Sequence, residues 1–249
     1  MSKYFTFFFV VVVLSYIYLL YSFRIADSGN SINQTYRSFF LRSPITRTAF
    51  FLDRPGDARF ELFSPGDNLS VEIDYQTGRE PDPRVEEWME WIAFQTLGKK
   101  VRITLAKEGG IPNNSAFSDR ELRKLARDTR DREFAKDSAY VHIIYVSESA
   151  DFPSNTGLVL TDKDLFLFSD GIDELTDNRN ARSLVEESTI AHEFGHLLGL
   201  EHVEREDCVM SETVEVYESG RFQFESLPTD FCEESLSALE EIRRESVAH

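Results

Sequence analysis

The eleven residues His192-Glu-Phe-Gly-His-Leu-Leu-Gly-Leu-Glu-His202 constrain this chain more than any other stretch. His192 and His196 are four apart, so on a helix both imidazoles leave one face, one turn from each other. Such a pair can grip a single cation. His202 is too far along a continuous helix to join them. Gly199 removes the difficulty, because a residue without Cβ turns the chain at positive φ at little cost. His202 then swings back as a third nitrogen ligand. Three imidazoles leave a fourth position open, which is the arrangement of a catalytic zinc ion. Glu193, beside the first ligand, is placed to take a proton from the attacking water. The chain has only five His, and three fall in this one pattern. Chance spacing of surface or core histidines is a poor account of that.

The fold must therefore deliver a helix that stops at Gly199 and a loop that returns. Ser183-Leu-Val-Glu186 reads as a capping box opening that helix, which runs to about Leu198. Upstream, Asn68–Tyr75, Val101–Leu105 and Tyr140–Val146 read as strands, rich in Val and Ile. Gly157–Leu160 and Asp164–Phe168 are two shorter ones. Arg84–Leu97 and Ser118–Asp131 carry helical spacing, and a last helix spans about Glu233–Glu245. Strands alternating with helices imply an α+β fold with an α/β-like first part. The expected architecture is a mixed, twisted sheet, the metal-site helix and a small C-terminal helical part.

Tyr4–Phe23 is an uncharged run between Lys3 and Arg24. As a helix its 20 residues span about 30 Å, the thickness of a hydrocarbon core. Cleaved signal peptides have a shorter apolar stretch and small residues before the cut, and Arg24 fits poorly there. The segment reads as an uncleaved signal-anchor, one transmembrane helix over residues 1–24, with the body outside the cytoplasm. Secretion after cleavage is the alternative. Residues 25–66 form a spacer, pro-segment or lead-in, in which Thr48–Leu52 and Arg59–Phe63 are candidate strands. Residues 67–249 are the expected zinc domain. Sequons at Asn33, Asn68 and Asn113 are compatible with an external surface.

The segment from 192 resembles the metzincin clan of zinc peptidases. That clan has a Met in a tight turn beneath the metal, and Cys208-Val209-Met210 supplies it. Within the clan the chain is similar to the archaemetzincins. Their pattern has a Cys directly after the third His, then Cys-x-Met, then Cys-x-x-Cys, four thiolates for a second, structural zinc. Here Val203 follows His202, Cys208 is present, and Cys232 is followed by Ser235 where the last Cys would stand. Two ligands of four are missing, so a closed four-coordinate site cannot form from what remains. One catalytic zinc ion is expected. Two cysteines in an external compartment favour a Cys208–Cys232 disulfide. Two free thiols or a residual metal site are the alternatives.

The resemblance implies a zinc-dependent endopeptidase acting on peptide or protein substrates. It implies Glu193 as general base, Met210 in the Met-turn, and a substrate-binding edge strand whose counterpart by position is Gly157, Leu158, Val159 and Leu160. Tyr217 is a candidate oxyanion stabiliser, by analogy with a Tyr near the Met-turn. His142, in an apolar strand, reads as a core or cleft-wall residue. No Cys precedes residue 208, which excludes zymogen silencing by a thiolate. A formal charge of -17 excludes nucleic acid as a partner, since phosphates need a basic surface. An acid-rich surface with 7 Lys among 27 basic residues suits high salt as well as ordinary solubility. The rival readings are a zinc-bearing binding domain without turnover and a narrow-specificity aminopeptidase-like enzyme. Substrate identity and oligomeric state are open at this level.

Overall fold

The computed structural model describes residues 2–24, 31–105, 110–131, 139–212 and 227–247. The chain divides into two compact units, residues 1–53 and 54–249.

The first unit has three helices. α1 (Ser2–Arg24) contains the apolar run and is long and apolar enough to cross a membrane. α2 (Ser31–Leu41) and α3 (Pro44–Phe50) pack on its C-terminal turns. Phe23 is fully buried there, and Asn33 and Arg37 donate to the Ser22 and Phe23 carbonyls at 3.0 and 2.9 Å. Those carbonyls lie in the last turn of α1, where no intrahelical partner remains. The strand expected over Thr48–Leu52 is not formed. Pro44 instead opens α3, and Phe51 closes it in a left-handed conformation. Short apolar runs do not by themselves separate strand from helix.

The second unit is built on a five-stranded sheet of order β2-β1-β3-β5-β4. The strands are β1 (Asn68–Tyr75), β2 (Lys100–Leu105), β3 (Tyr140–Val146), β4 (Gly157–Val159) and β5 (Asp164–Phe168). β1 pairs in parallel with β2 and β3, and β3 with β5, placing Val71 beside Ile103 and Val141. β4 alone runs antiparallel, with Leu158 opposite Phe166, and it forms one edge. β3 and β5 are buried along their whole length, as a parallel strand covered on both faces requires.

Helices cover each face. On one, α5 (Val85–Leu97) and α8 (Arg179–Leu198) share a core with Val71, Ile73, Ile143 and Leu165. On the other, α6 (Asp119–Thr129) packs Leu122, Leu125 and Ala126 against Ile144, Val146 and Phe166. Arg59–Phe63, also expected as a strand, is a helical turn, α4 (Arg59–Leu62), with Leu62 buried. Two further helices are α7 (Ser169–Leu175), which the pattern did not announce, and α9 (Glu233–Val247).

The start of α8 also corrects the sequence reading. The helix begins at Arg179, capped by Asn178, whose side chain accepts from Asn180 N and Ala181 N at 2.9 and 3.3 Å. Ser183 and Glu186 lie inside it. Ser183 donates to Asp82, and Glu186 accepts from Asp82 N and the Tyr145 hydroxyl, both at 2.9 Å. Tertiary partners have taken the two side chains whose spacing imitates a capping box.

On the face of the sheet that carries Ile144 and Val146, a charged network is buried. His142 Nε2 meets Asp74 Oδ2 at 2.6 Å and Nδ1 meets Asp164 Oδ1 at 3.3 Å. Arg130 donates to both Asp164 oxygens at 2.6 and 2.7 Å. His142 is thus a core residue, as its apolar strand suggests. Burial disfavours the charged ring, but the hydrogen bonds and charges of Asp164 and Asp74 outweigh it, so its pKa is raised from 6.5. Asp164 is lowered to about 2, because His142 and Arg130 outweigh the burial that would raise it. The contribution of His142 to stability is therefore full below pH 6.5 and is lost as pH rises through the raised value. That of Asp164 is present above 3.8 and fades as pH falls towards 2. Melting curves of the native chain and His142→Asn should differ most at mildly acidic pH, and the gap should narrow at alkaline pH. A gap that stays constant across that range would refute the charged state of His142.

Candidate metal centre

Packing places the metal-site helix before any ion is considered. Phe194, Leu197 and Leu198 of α8 are fully buried, and each such burial is worth about 1.5–3 kcal/mol. The opposite side of the helix carries His192 and His196. Gly199 ends it at φ 93°, and its N–H bonds back to the His196 carbonyl at 3.0 Å. The next residues reverse direction and bring His202 to the pair, as the eleven-residue spacing requires.

The Nε2 atoms of the three rings stand 3.0 Å (His192–His196), 3.1 Å (His196–His202) and 3.2 Å (His192–His202) apart. His192 Nδ1 lies 2.6 Å from the Val209 carbonyl, and His196 Nδ1 lies 2.9 Å from the Leu200 carbonyl. A carbonyl only accepts, so both Nδ1 atoms carry a proton and donate. In the neutral rings, both Nε2 atoms then present bare lone pairs to one another. Lone pairs at this separation repel unless a cation lies between them. Tetrahedral zinc, with bonds of about 2.0–2.1 Å, sets its nitrogen ligands about 3.3 Å apart. The three histidines therefore fit a zinc ion. His192 is buried, His196 half-buried and His202 exposed, so the centre opens to solvent on the His202 side.

Glu193 is buried, at 3% exposure. It lies against the first residue of β4. A Cβ built on Gly157 would come within 2.9 Å of Glu193 Cγ and 3.1 Å of its Oε1. Any larger residue at 157 would collide with Thr189 Cγ2, 2.5 Å from that Cβ, and crowd the Glu193 side chain. The sheet edge and the proposed base are thus in direct contact.

The turn beneath the histidines is Cys208–Ser211, closed by Ser211 N donating to the Cys208 carbonyl at 2.9 Å. Met210 is fully buried and abuts Gly195, where a side chain on 195 would collide with its sulfur. Val203 N donates to the Met210 carbonyl at 2.9 Å, tying the third-ligand loop to the same turn. Cys208 and Cys232 form a disulfide. Ser235 Oγ lies 3.3 and 3.5 Å from the two sulfurs. Cys208, Cys232 and Ser235 therefore still converge, with a covalent bond between the two cysteines.

The sequence reading missed the carbonyls of Val209 and Leu200, which orient two of the rings. Backbone acceptors carry no side-chain signal. Tyr217 lies outside the described residues.

Residues 127–230 match the family model described as Matrixin. Among solved structures, the fold resembles archaemetzincin from Methanopyrus kandleri. The identity is 16%, covering 72% of this chain and 97% of that one, at a TM-score of 0.52. Archaemetzincin from Archaeoglobus fulgidus, complexed with malonate, matches at 15% identity, covering 68% and 99% of the two chains, with a TM-score of 0.46. No curated protein matches the chain.

Proposed function

We propose that this metzincin-like zinc metallopeptidase is an endopeptidase with a single zinc ion, held at a membrane by α1 with its body outside the cytoplasm. The observation that carries the catalytic part is the convergence of three imidazole Nε2 atoms beside a buried Glu193 at the edge of the sheet.

His192, His196 and His202 would hold the ion. Zinc in that position supplies Lewis-acid polarisation of the scissile carbonyl and lowers the pKa of the attacking water. Glu193 takes the proton from that water and passes it to the leaving amine. β4 is the last strand of the sheet, so one row of its backbone groups faces away from β5. An extended peptide can add there as a further strand along Gly157, Leu158, Val159 and Leu160. The contact between Gly157 and Glu193 would bring the scissile bond to the base. Met210 sets the floor under the histidines. Tyr217 is retained as a proposed oxyanion stabiliser on analogy alone.

Two observations support the membrane reading. Asn33 and Arg37 satisfy the terminal carbonyls of α1 and Phe23 is buried in the same unit, as in a helix kept in the folded protein. The disulfide suits an oxidising compartment.

The test uses purified full-length chain in detergent, with metal analysis and peptides blocked at both ends. One zinc ion per chain is expected, with internal cleavage that a chelator removes and added zinc restores. Cleavage confined to peptides with a free N-terminus would replace this reading with an exopeptidase. Bound zinc without any cleavage would sink the catalytic assignment.

A further inference from the structure

The first unit has aromatic rings on two sides. On the inner side, Phe23 packs against Phe40 and Phe50, with ring centroids 5.3 and 5.7 Å away. Tyr16 sits 5.3 Å from Phe50, and its hydroxyl donates to the Ala49 carbonyl at 2.7 Å. On the outer side, Phe39, Ile45 and Phe51 are 66%, 81% and 56% exposed.

Length decides what those outer residues meet. The apolar run Tyr4–Phe23 lies between Lys3 and Arg24. Crossing about 30 Å of hydrocarbon takes about 20 residues at 1.5 Å each. The part before Tyr16 is only about 18 Å long on the same rise. α1 therefore needs its turns from Tyr16 to Phe23 in order to span, and these are the turns that α2 and α3 cover. Whatever covers turns at lipid depth lies at lipid depth itself. Ala49 and Phe50 are fastened to Tyr16, which stands about 12 Å along the axis from Arg24.

The charges agree. Residues 31–53 hold Arg37, Arg42 and Arg47 against Asp53 alone, three minus one, or +2, in a chain of -17. Arg37 and Arg47 turn their guanidinium groups onto the carbonyls of Phe23 and Leu52, so neither charge is presented to the lipid without a partner. Arg42 is exposed.

We propose that Ser31–Phe51 forms a collar seated at the headgroup–acyl boundary of a bilayer, with Phe39, Ile45 and Phe51 immersed and Arg42 among the lipid phosphates. The inference rests on α1 being a membrane anchor. Among interfacial helices, an apolar face reaches about 5–10 Å into that boundary.

The native cysteines are joined to each other, so an introduced cysteine can be labelled alone. Full-length chains carrying Leu14→Cys, Phe39→Cys or Ile45→Cys are labelled with an environment-sensitive fluorophore. They are placed in phosphatidylcholine vesicles containing nitroxide lipids at graded depths. All three positions are exposed; Phe39 also meets the Phe40 ring at 5.4 Å, so Ile45 carries the reading if the two labels differ. The label at Leu14 should read deep hydrocarbon, and those at Phe39 and Ile45 about 5–10 Å below the headgroups. Labels at Phe39 and Ile45 in water, with Leu14 in hydrocarbon, would overturn the collar and leave the anchor standing. All three in water would overturn the anchor and the collar with it.

Discussion

Glu193→Gln should lower kcat/KM on an end-blocked peptide by about 10²–10⁴-fold while zinc stays bound, the scale of a lost general base. Glutamine keeps the shape of the side chain, and the space around it is narrow. Glu193 is buried, and a Cβ at position 157 would already crowd its Cγ and Oε1. Only the capacity to accept a proton is removed. The ligand triangle is fixed independently, by the packing of α8 and by the Val209 and Leu200 carbonyls. Metal content should therefore match the parent. Glu193→Ala should show the same loss of activity. Peptide turnover near the parent rate, with zinc in place, would refute the role of Glu193. Loss of zinc along with activity would instead make it a support for the ligands.

The second large effect should come from Cys208→Ser combined with Cys232→Ser. The disulfide spans 24 positions of sequence. Closing a loop of that size stabilises by about 3 kcal/mol on the chain-entropy model. In a domain of this size each kcal/mol moves Tm by about 2–4 °C, so a fall of roughly 10 °C is expected. The loss should also reach the metal. Cys208 adjoins Val209, whose carbonyl holds the His192 ring, and Val209 N is itself held by the Asp230 carbonyl at 3.1 Å. Releasing the bridge loosens that acceptor. Groups that orient a metal ligand typically change metal affinity by about 10–100-fold when disturbed. Calorimetry with and without zinc, together with chelator competition, measures both effects. An unchanged Tm would refute the stabilising role. Unchanged zinc affinity at a lowered Tm would confine that role to the fold.

The convergence of the three histidines was legible because its geometry is written in spacing. His192 and His196 share a face by helical period. Gly199 marks the bend, and the bend brings in His202. The strands were legible for a similar reason, since runs such as Tyr140–Val146 are apolar and β-branched and lie buried. Features set by distant partners were hidden. Ser183 and Glu186 imitate a cap, yet their partners are Asp82 and Tyr145, far away in sequence. Thr48–Leu52 and Arg59–Phe63 are too short for their period to separate helix from strand. Pro44 at the start of α3 was the local cue, and it outweighed the β-branched residues. The resemblance to archaemetzincins contributed what spacing alone does not. It marked Cys208, Cys232 and Ser235 as one locality, and the structure brings them within hydrogen-bonding reach.

The packing of the first unit bears on whether such a protein can be shed. Phe23 packs in an aromatic group with Phe40 and Phe50, and Asn33 and Arg37 bond to carbonyls in the last turn of the same helix. A proteolytic cut just after Arg24 would uncover the faces of Phe40 and Phe50 that pack on Phe23 and remove the Ser22 and Phe23 carbonyls that Asn33 and Arg37 bond. The released body would carry an adhesive patch in place of a clean terminus. On the proposed membrane reading, this packing favours retention of α1 over release of the body, and substrates would then have to come to the membrane.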